Sequence, residues 1–398
     1  MAIIMLLLWT SGALLAVFLI FPVLARLFSL LTKPGVRGES EKKKLYFACV
    51  ITAYKDLEIT HDLVESLLRQ DYDAFQVYLI ADRCERKVLP FIEEDPRVKV
   101  IFPERPLDSK VRSMQHAFRF LDSEVNQVVV FDPDNLVASD FLSELNKKHQ
   151  QGYEVVQAKR IARNLGTSTA VMDAMAEYYR NYIDRIVPFR LGFSCSIAGS
   201  GMSIPRGTFS GFLESRKIRE KSQGVILGED KMLQIYLIRR GYFIAFAENL
   251  LVQDGKLVNG SQVEKQRARW LTAYFESIGD HLRLFFEGII DRKVSKVFFA
   301  FQNIVPPVSI LLSWSAVLIV LGLFLDNRLS LLLFVSLVLF VANIYSVLML
   351  QFTGAGQKRA ILRLPVFVFR HFLSVRHMPK TRKSFLVTKH LFHNKEAK

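Results

Sequence analysis

The stretch that decides the fold is Gln127-Val128-Val129-Val130-Phe131-Asp132-Pro133-Asp134. Val128 to Phe131 is an unbroken run of β-branched and aromatic residues, which reads as a largely apolar strand. It stops on two carboxylates at i and i+2 around a proline. Asp and Pro both favour turns, so plain turn chemistry is one reading. In open α/β sheets, however, ligands gather beyond the carboxyl ends of strands. Hard divalent cations such as Mg2+ take a few carboxylate oxygens together with phosphate oxygens. Asp132 and Asp134 are therefore candidate metal ligands.

Upstream, the same alternation recurs. Residues 45–52 read as a buried strand, and a helical pattern with Leu63, Leu67 and Leu68 on one face follows. Residues 77–81 and 98–102 are further strands, and 110–121 is helical. Strands alternating with helices predict a largely parallel α/β sheet. The carboxyl-end rule puts Tyr54, Asp56, Asp82, Asp132 and Asp134 on one rim.

The flanks are of another kind. Of the 398 residues 51% are hydrophobic, and much of that apolar excess is concentrated in residues 3–25, 297–325 and 329–357, which carry no charged residue. Each run reaches the roughly 20 apolar residues that a helix needs to cross a bilayer. No Lys or Arg precedes Arg26, so a retained anchor is expected over a cleaved signal peptide. The formal net charge is +15; residues 26–44 hold +4 of it, residues 357–398 hold +10, and the rest of the chain +1. Basicity confined to the flanks of apolar segments marks a cytoplasmic, headgroup-facing side. It argues against a nucleic-acid partner. Cys49, Cys84 and Cys195 match no metal or redox spacing and are expected as free thiols.

Two further motifs carry chemistry. Glu229-Asp230 follows Gly228 and opens a helix; an acid there is a helix cap or a general base that takes a proton from an acceptor hydroxyl. Gln266-Arg267-Ala268-Arg269-Trp270 lies on a helix that puts Gln266 and Arg269 on one face. Arg269 suits phosphate oxygens and Trp270 a sugar ring, although an amphipathic helix with a membrane-facing Trp would read the same way. Beyond it, residues 271–301 mix Phe275, Leu282, Phe286, Ile289 and Ile290 with charges. That suits interfacial helices, with packing against the domain as the alternative. Residues 363–375 read similarly.

In this order, the motifs resemble the membrane-bound inverting glycosyltransferases of family 2, which include cellulose, chitin and hyaluronan synthases and are similar to ceramide glucosyltransferases. Asp82, Asp132-Pro133-Asp134, Gly228-Glu229-Asp230 and Gln266-x-x-Arg269-Trp270 carry the resemblance, the last matching the family's Q-x-x-R-W. It implies a GT-A (Rossmann-like) nucleotide-sugar fold over residues 45–270, with Mg2+ or Mn2+ as cofactor and a UDP-sugar donor. Asp56 and Asp82 would contact the uridine and Lys110 the donor side. Asp134, helped by Asp132, would bind metal, and Asp230 would be the base beside Glu229. Gln266, Arg269 and Trp270 would hold the diphosphate and the acceptor end, with Gly199-Ser200-Gly201-Met202 near the acceptor sugar. Departures exist: Thr52-Ala53-Tyr54-Lys55-Asp56 is not the common opening motif, Arg83-Cys84 follows Asp82, and only three strong spans are visible.

The expected organisation is a transmembrane helix over 1–31, a basic linker over 32–44, a cytoplasmic catalytic domain over 45–270 and interfacial helices over 271–301. Two transmembrane helices over 302–351 and a basic tail over 352–398 complete it. The acceptor is either a growing polysaccharide, with further copies or an export partner completing a pore, or a lipid-linked molecule. Intact acids at the metal and base positions argue against a non-catalytic scaffold.

Overall fold

The computed structural model describes residues 2–33, 38, 43–88, 90–221, 226–257, 260–352, 354–362 and 364. Most of the linker (residues 34–37 and 39–42) and the basic tail beyond 364, with it the 363–375 segment, lie outside the described residues.

Eight strands make one sheet: β1 (Phe47–Tyr54), β2 (Phe75–Asp82), β3 (Val98–Ile101), β4 (Gln127–Phe131), β5 (Leu136–Val137), β6 (Val155–Ala162), β7 (Met202–Pro205) and β8 (Ile244–Asp254). Their order across the sheet is β3-β2-β1-β4-β7-β6-β8-β5. Every residue of β2 and β4 is buried. An unbroken apolar run without period-2 alternation is what a strand covered on both faces requires.

The expected parallel pairing holds for β3-β2-β1-β4, and β6 also runs parallel to β8. It fails at β7, which runs antiparallel to both β4 and β6, and at β5, antiparallel to β8. The sheet is therefore mixed. The reversal has a geometric consequence: β7 begins where β4 ends, Val130 opposite Met202. The loop entering β7 thus arrives at the acidic rim, and Gly201 N–H donates to Val130 C=O at 2.8 Å. Gly201 sits at φ +63°, and a Cβ there would lie 2.7 Å from Val252 Cγ2, so both backbone angle and space demand glycine.

Three described helices, Ala2–Ser29, Val308–Leu325 and Asn327–Gln351, are long and apolar enough to cross a membrane. The apolar run predicted over 297–325 is divided, because Val305-Pro306-Pro307 separates a shorter helix, Val294–Ile304, from the spanning one. Small residues let the spans approach closely: a Cβ on Gly12 would meet Leu329, and one on Gly322 would meet Ser330. Trp9 Nε1 donates to Asp326 Oδ2 at 3.0 Å and Trp314 Nε1 to Ser11 Oγ at 3.2 Å. At the other end of the first helix, Arg26 donates to Asn343 Oδ1 at 2.9 Å and to Ser346.

Between Trp270 and the interfacial residues there is no break. Both belong to one helix, Gly260–Ile290, of 31 residues. Its far end leaves Phe286, Ile289 and Ile290 exposed.

Candidate active site

A cavity of about 1100 Å3 opens at the carboxyl rim of the sheet. Asp56, Asp82, Lys110, Asp132, Asp134, Gly199, Glu229, Asp230, Gln266, Arg269 and Trp270 all line it. Three motifs far apart in sequence therefore line one cavity. Ser200 and Gly201 stand behind the lining: Ser200 Oγ donates to Asn135 Oδ1 at 2.8 Å, and both residues are buried. Their part is to shape the loop that presents Gly199.

Asn135 organises the acidic turn. Its Oδ1 accepts from the Asp132 backbone N–H at 3.0 Å, and its own N–H donates to Asp132 C=O at 3.1 Å. Lys110, at the start of helix Lys110–Ala117, donates to Asp132 Oδ1 at 2.5 Å and to Gly199 C=O at 3.0 Å. Burial alone would lower the Lys110 pKa; Asp132 and Glu229 outweigh it and hold the ammonium above its ordinary value. Asp134 is 4% exposed, and burial together with Asp254 and Asp132 pushes its carboxyl up to about 8.

Sequence reasoning missed the counter-ions of this group. Arg160, on β6, lies 2.7 Å from Asp254 and 3.9 Å from Asp132. Lys256 Nζ meets Asp254 at 2.7 Å. Burial would raise the Asp254 pKa, but Arg160 and Lys256 outweigh it and hold this carboxylate far below the ordinary range. The available signal was an acid ending an apolar run, Leu250-Leu251-Val252-Gln253-Asp254. It was obscured by Glu248-Asn249 within the strand, where the β6–β8 register shifts at Ala158/Lys159.

The rim around Asp82 is also more occupied than expected. Both oxygens of Asp82 accept backbone N–H groups, from Leu107 at 3.0 Å and Asp108 at 2.7 Å. Asp108 in turn receives Tyr54 Oη at 2.8 Å and two bonds from Arg83 at 2.7 Å each. Asp82 thereby positions the 107–108 segment, while Asp56 accepts from the N–H of Glu58 at 3.1 Å.

On the opposite wall, Gly228 at φ +68° precedes helix Glu229–Arg239. Burial, then Asp230, raises the Glu229 pKa, with Lys110 opposing. Asp230 accepts from the Lys231 backbone N–H at 2.8 Å, and its Cβ lies 3.8 Å from where a Cβ on Gly199 would be. Gln266 Oε1 is buried with no hydrogen-bond partner among the described residues. An acceptor atom in that state, on a cavity wall, invites a ligand hydroxyl or N–H. Arg269 lies in the field of Glu229 and Asp132.

The donor set suits a divalent cation. Among the described residues no group of three or more His, Cys, Asp or Glu is arranged to hold a metal. Asp132 and Asp134 could offer two hard oxygen ligands, the kind of shell that a cation of the Mg2+ type would complete with phosphate oxygens and water.

The family model described as "Glycosyltransferase like family 2" matches residues 44–273. No curated protein sequence matches the chain. Among solved structures, the mannosyltransferase PcManGT from Pyrobaculum calidifontis, in complex with GDP-Man and Mn2+, shares 12% identity at a TM-score of 0.59. The match covers 93% of this chain and 99% of that one, and shows the fold. TarS of S. aureus overlaps at 10% identity over 65% of this chain and 55% of its own, with a TM-score of 0.37 that carries no argument. With a matching model over more than half its length, a GT-A sheet and three apolar helices, the chain belongs to glycosyltransferase family 2 and is a membrane-associated glycosyltransferase.

Proposed function

We propose that this enzyme moves one sugar from a nucleoside-diphosphate sugar to a hydroxyl of a lipid-linked acceptor at the cytoplasmic membrane face. The observation that carries this reading is the continuity of the cavity. Its wall passes from Asp132 and Asp230 to Phe21 of the first apolar helix, Leu311 of the second, and Phe340, Ile344 and Leu348 of the third. A charged donor can bind at one end while an apolar chain lies along the other. Residues 45–270 would be the catalytic part on this reading, and the acceptor would be a lipid-linked molecule in preference to a growing polysaccharide.

Asp132 and Asp134 would hold Mg2+ or Mn2+, which when bound offsets the charge of the departing diphosphate. Lys110 and Arg269 flank that position with fixed positive charge, which needs little reorganisation as the leaving group forms. Asp230 takes the acceptor hydroxyl proton; the acceptor oxygen bonds to the anomeric carbon as the bond to the diphosphate breaks, with inversion. Gln266 and Trp270 position the sugar and Asp56, with the Asp82-held segment, the base. The PcManGT complex contains GDP-Man, so GDP- and UDP-sugars both belong in the test.

Asp230→Asn keeps nucleotide-sugar affinity and lowers transfer by about 10^2- to 10^4-fold. Membranes given radiolabelled UDP- and GDP-sugars yield a small lipid-soluble product. Near-normal turnover by the variant, or a product ladder, refutes the reading.

A further inference from the structure

Past the base, the cavity holds a cation that the transfer chemistry leaves unused. Lys231 follows Asp230 on helix Glu229–Arg239 and lines the cavity. Lys110, Lys256 and Lys296 each answer a carboxylate at 2.5 to 2.7 Å. The Lys231 ammonium makes no hydrogen bond or ion pair with a described residue. The preceding acid, Asp230, accepts instead from the Lys231 backbone N–H. Burial, reinforced by Arg180 and opposed by Asp230, pushes the Lys231 pKa down to about 8. Burying an unpaired charge is costly unless a partner arrives.

The neighbouring wall is shaped for the same purpose. Residues Asn181–Ile186 form a π-helical turn directly after helix Ser168–Arg180. Such turns insert an extra residue and re-aim side chains, and they concentrate at functional sites. Here Arg180, at the end of that helix, and Asp184 and Arg185, in the turn, line the cavity. Asp184 takes Arg180 Nε at 3.0 Å and Glu177 takes Arg185 at 2.9 Å. Those two pairs are each neutral, and beside them Lys231 meets no carboxylate among the described residues. Gln302 and Asn303 line the same region, and Val305, Pro306 and Pro307 lead from it to the apolar helices.

We propose that Lys231, with Arg180 behind it, binds the phosphate of the lipid acceptor, whose chain lies along the apolar part of the cavity. This inference rests on the lipid-acceptor reading above and names the headgroup chemistry. A phosphate monoester or diester would give Lys231 a charge-assisted partner. The apolar residues beyond would hold its alkyl chain.

The test uses the full chain in neutral maltoside micelles, titrated by tryptophan fluorescence with dodecyl phosphate, dodecanol and inorganic phosphate. Dodecyl phosphate binds roughly tenfold tighter than dodecanol; Lys231→Met removes that advantage, and Lys231→Arg keeps most of it. Equal binding of the two dodecyl compounds by the wild type, or an unchanged advantage in Lys231→Met, overturns the proposal. Inorganic phosphate binding as tightly as dodecyl phosphate overturns the lipid part and points to a free anion. Retained Mn2+-dependent binding of GDP-mannose or UDP-glucose shows that Lys231→Met is folded. If the wild type binds neither nucleotide sugar, the transferase reading fails, separately from the phosphate result.

Discussion

Metal binding should be steeply pH-dependent in a way an exposed carboxylate pair would not be. The perturbation is Mn2+, and the group it must displace is the proton on Asp134. Burial and the neighbouring Asp254 and Asp132 push that carboxyl up to about 8, against about 3.9 in a free chain. With that carboxyl at about 8, roughly nine-tenths of the metal-free protein would carry the proton at pH 7, and a cation would have to expel it to use the oxygen. Apparent Mn2+ affinity should then rise about 50-fold between about pH 6 and pH 8, with close to one proton released per metal at the lower end. Counting free Mn2+ by electron paramagnetic resonance, with GDP-mannose or UDP-glucose present, measures this directly, since their diphosphate diesters do not titrate in the range. Asp134→Asn should bind weakly and without slope. A wild-type affinity flat across the same range would refute Asp134 as a buried ligand. The sign for stability is opposite to that of a salt-bridged acid. A carboxyl raised in the folded state favours folding at low pH, so the metal-free protein loses stability as pH climbs from about 4 towards 8, and Mn2+ removes that loss.

Other substitutions probe the scaffold. Gly201→Ala meets Val252 Cγ2 at 2.7 Å and Ala158 Cβ at 3.3 Å from a left-handed backbone; the conformation alone costs about 1–2 kcal/mol. A lower melting temperature, with activity per folded molecule reduced because Gly199 shifts, is the expected result; unchanged thermal unfolding would count against it. Asp82→Ala strands the half-buried N–H groups of Leu107 and Asp108, at most about 1–3 kcal/mol each if water does not replace the carboxylate. Donor binding should weaken more than transfer from bound donor, read as a rise in KM with kcat largely kept. A fall in kcat alone would contradict a positioning role.

Much of the catalytic half was legible because its signals are local. β4 occupies the predicted 127–131 run, β2 extends the predicted 77–81 at both ends, and β1 lies two residues further along than the predicted 45–52. Asp132 follows β4 at the carboxyl rim, where ligands gather in open α/β sheets, and Lys110, Asp230 and Arg269 reach the same cavity from helices. What sequence could not give was the antiparallel β7, a four-residue strand whose direction depends on its neighbours. Nor could it give Arg160 and Asp254, whose pairing depends on a register shift between distant strands. Asp82 was placed correctly on the rim, yet its hydrogen bonds go to 107–108, a contact across 25 residues with no local signature. The π-helical turn left no trace in apolar spacing at all.

The unbroken helix Gly260–Ile290 changes how the enzyme can be taken apart. At 1.5 Å per residue it is a rod about 45 Å long. Gln266, Arg269 and Trp270 sit near one end, and Phe286, Ile289 and Ile290 face outward at the other. A fragment ended at residue 270 would cut that rod through and unmoor the residues beside the donor. On the reading that its exposed apolar end meets the bilayer, the rod would act as one lever, and a change of membrane thickness that tips that end would be felt at Arg269.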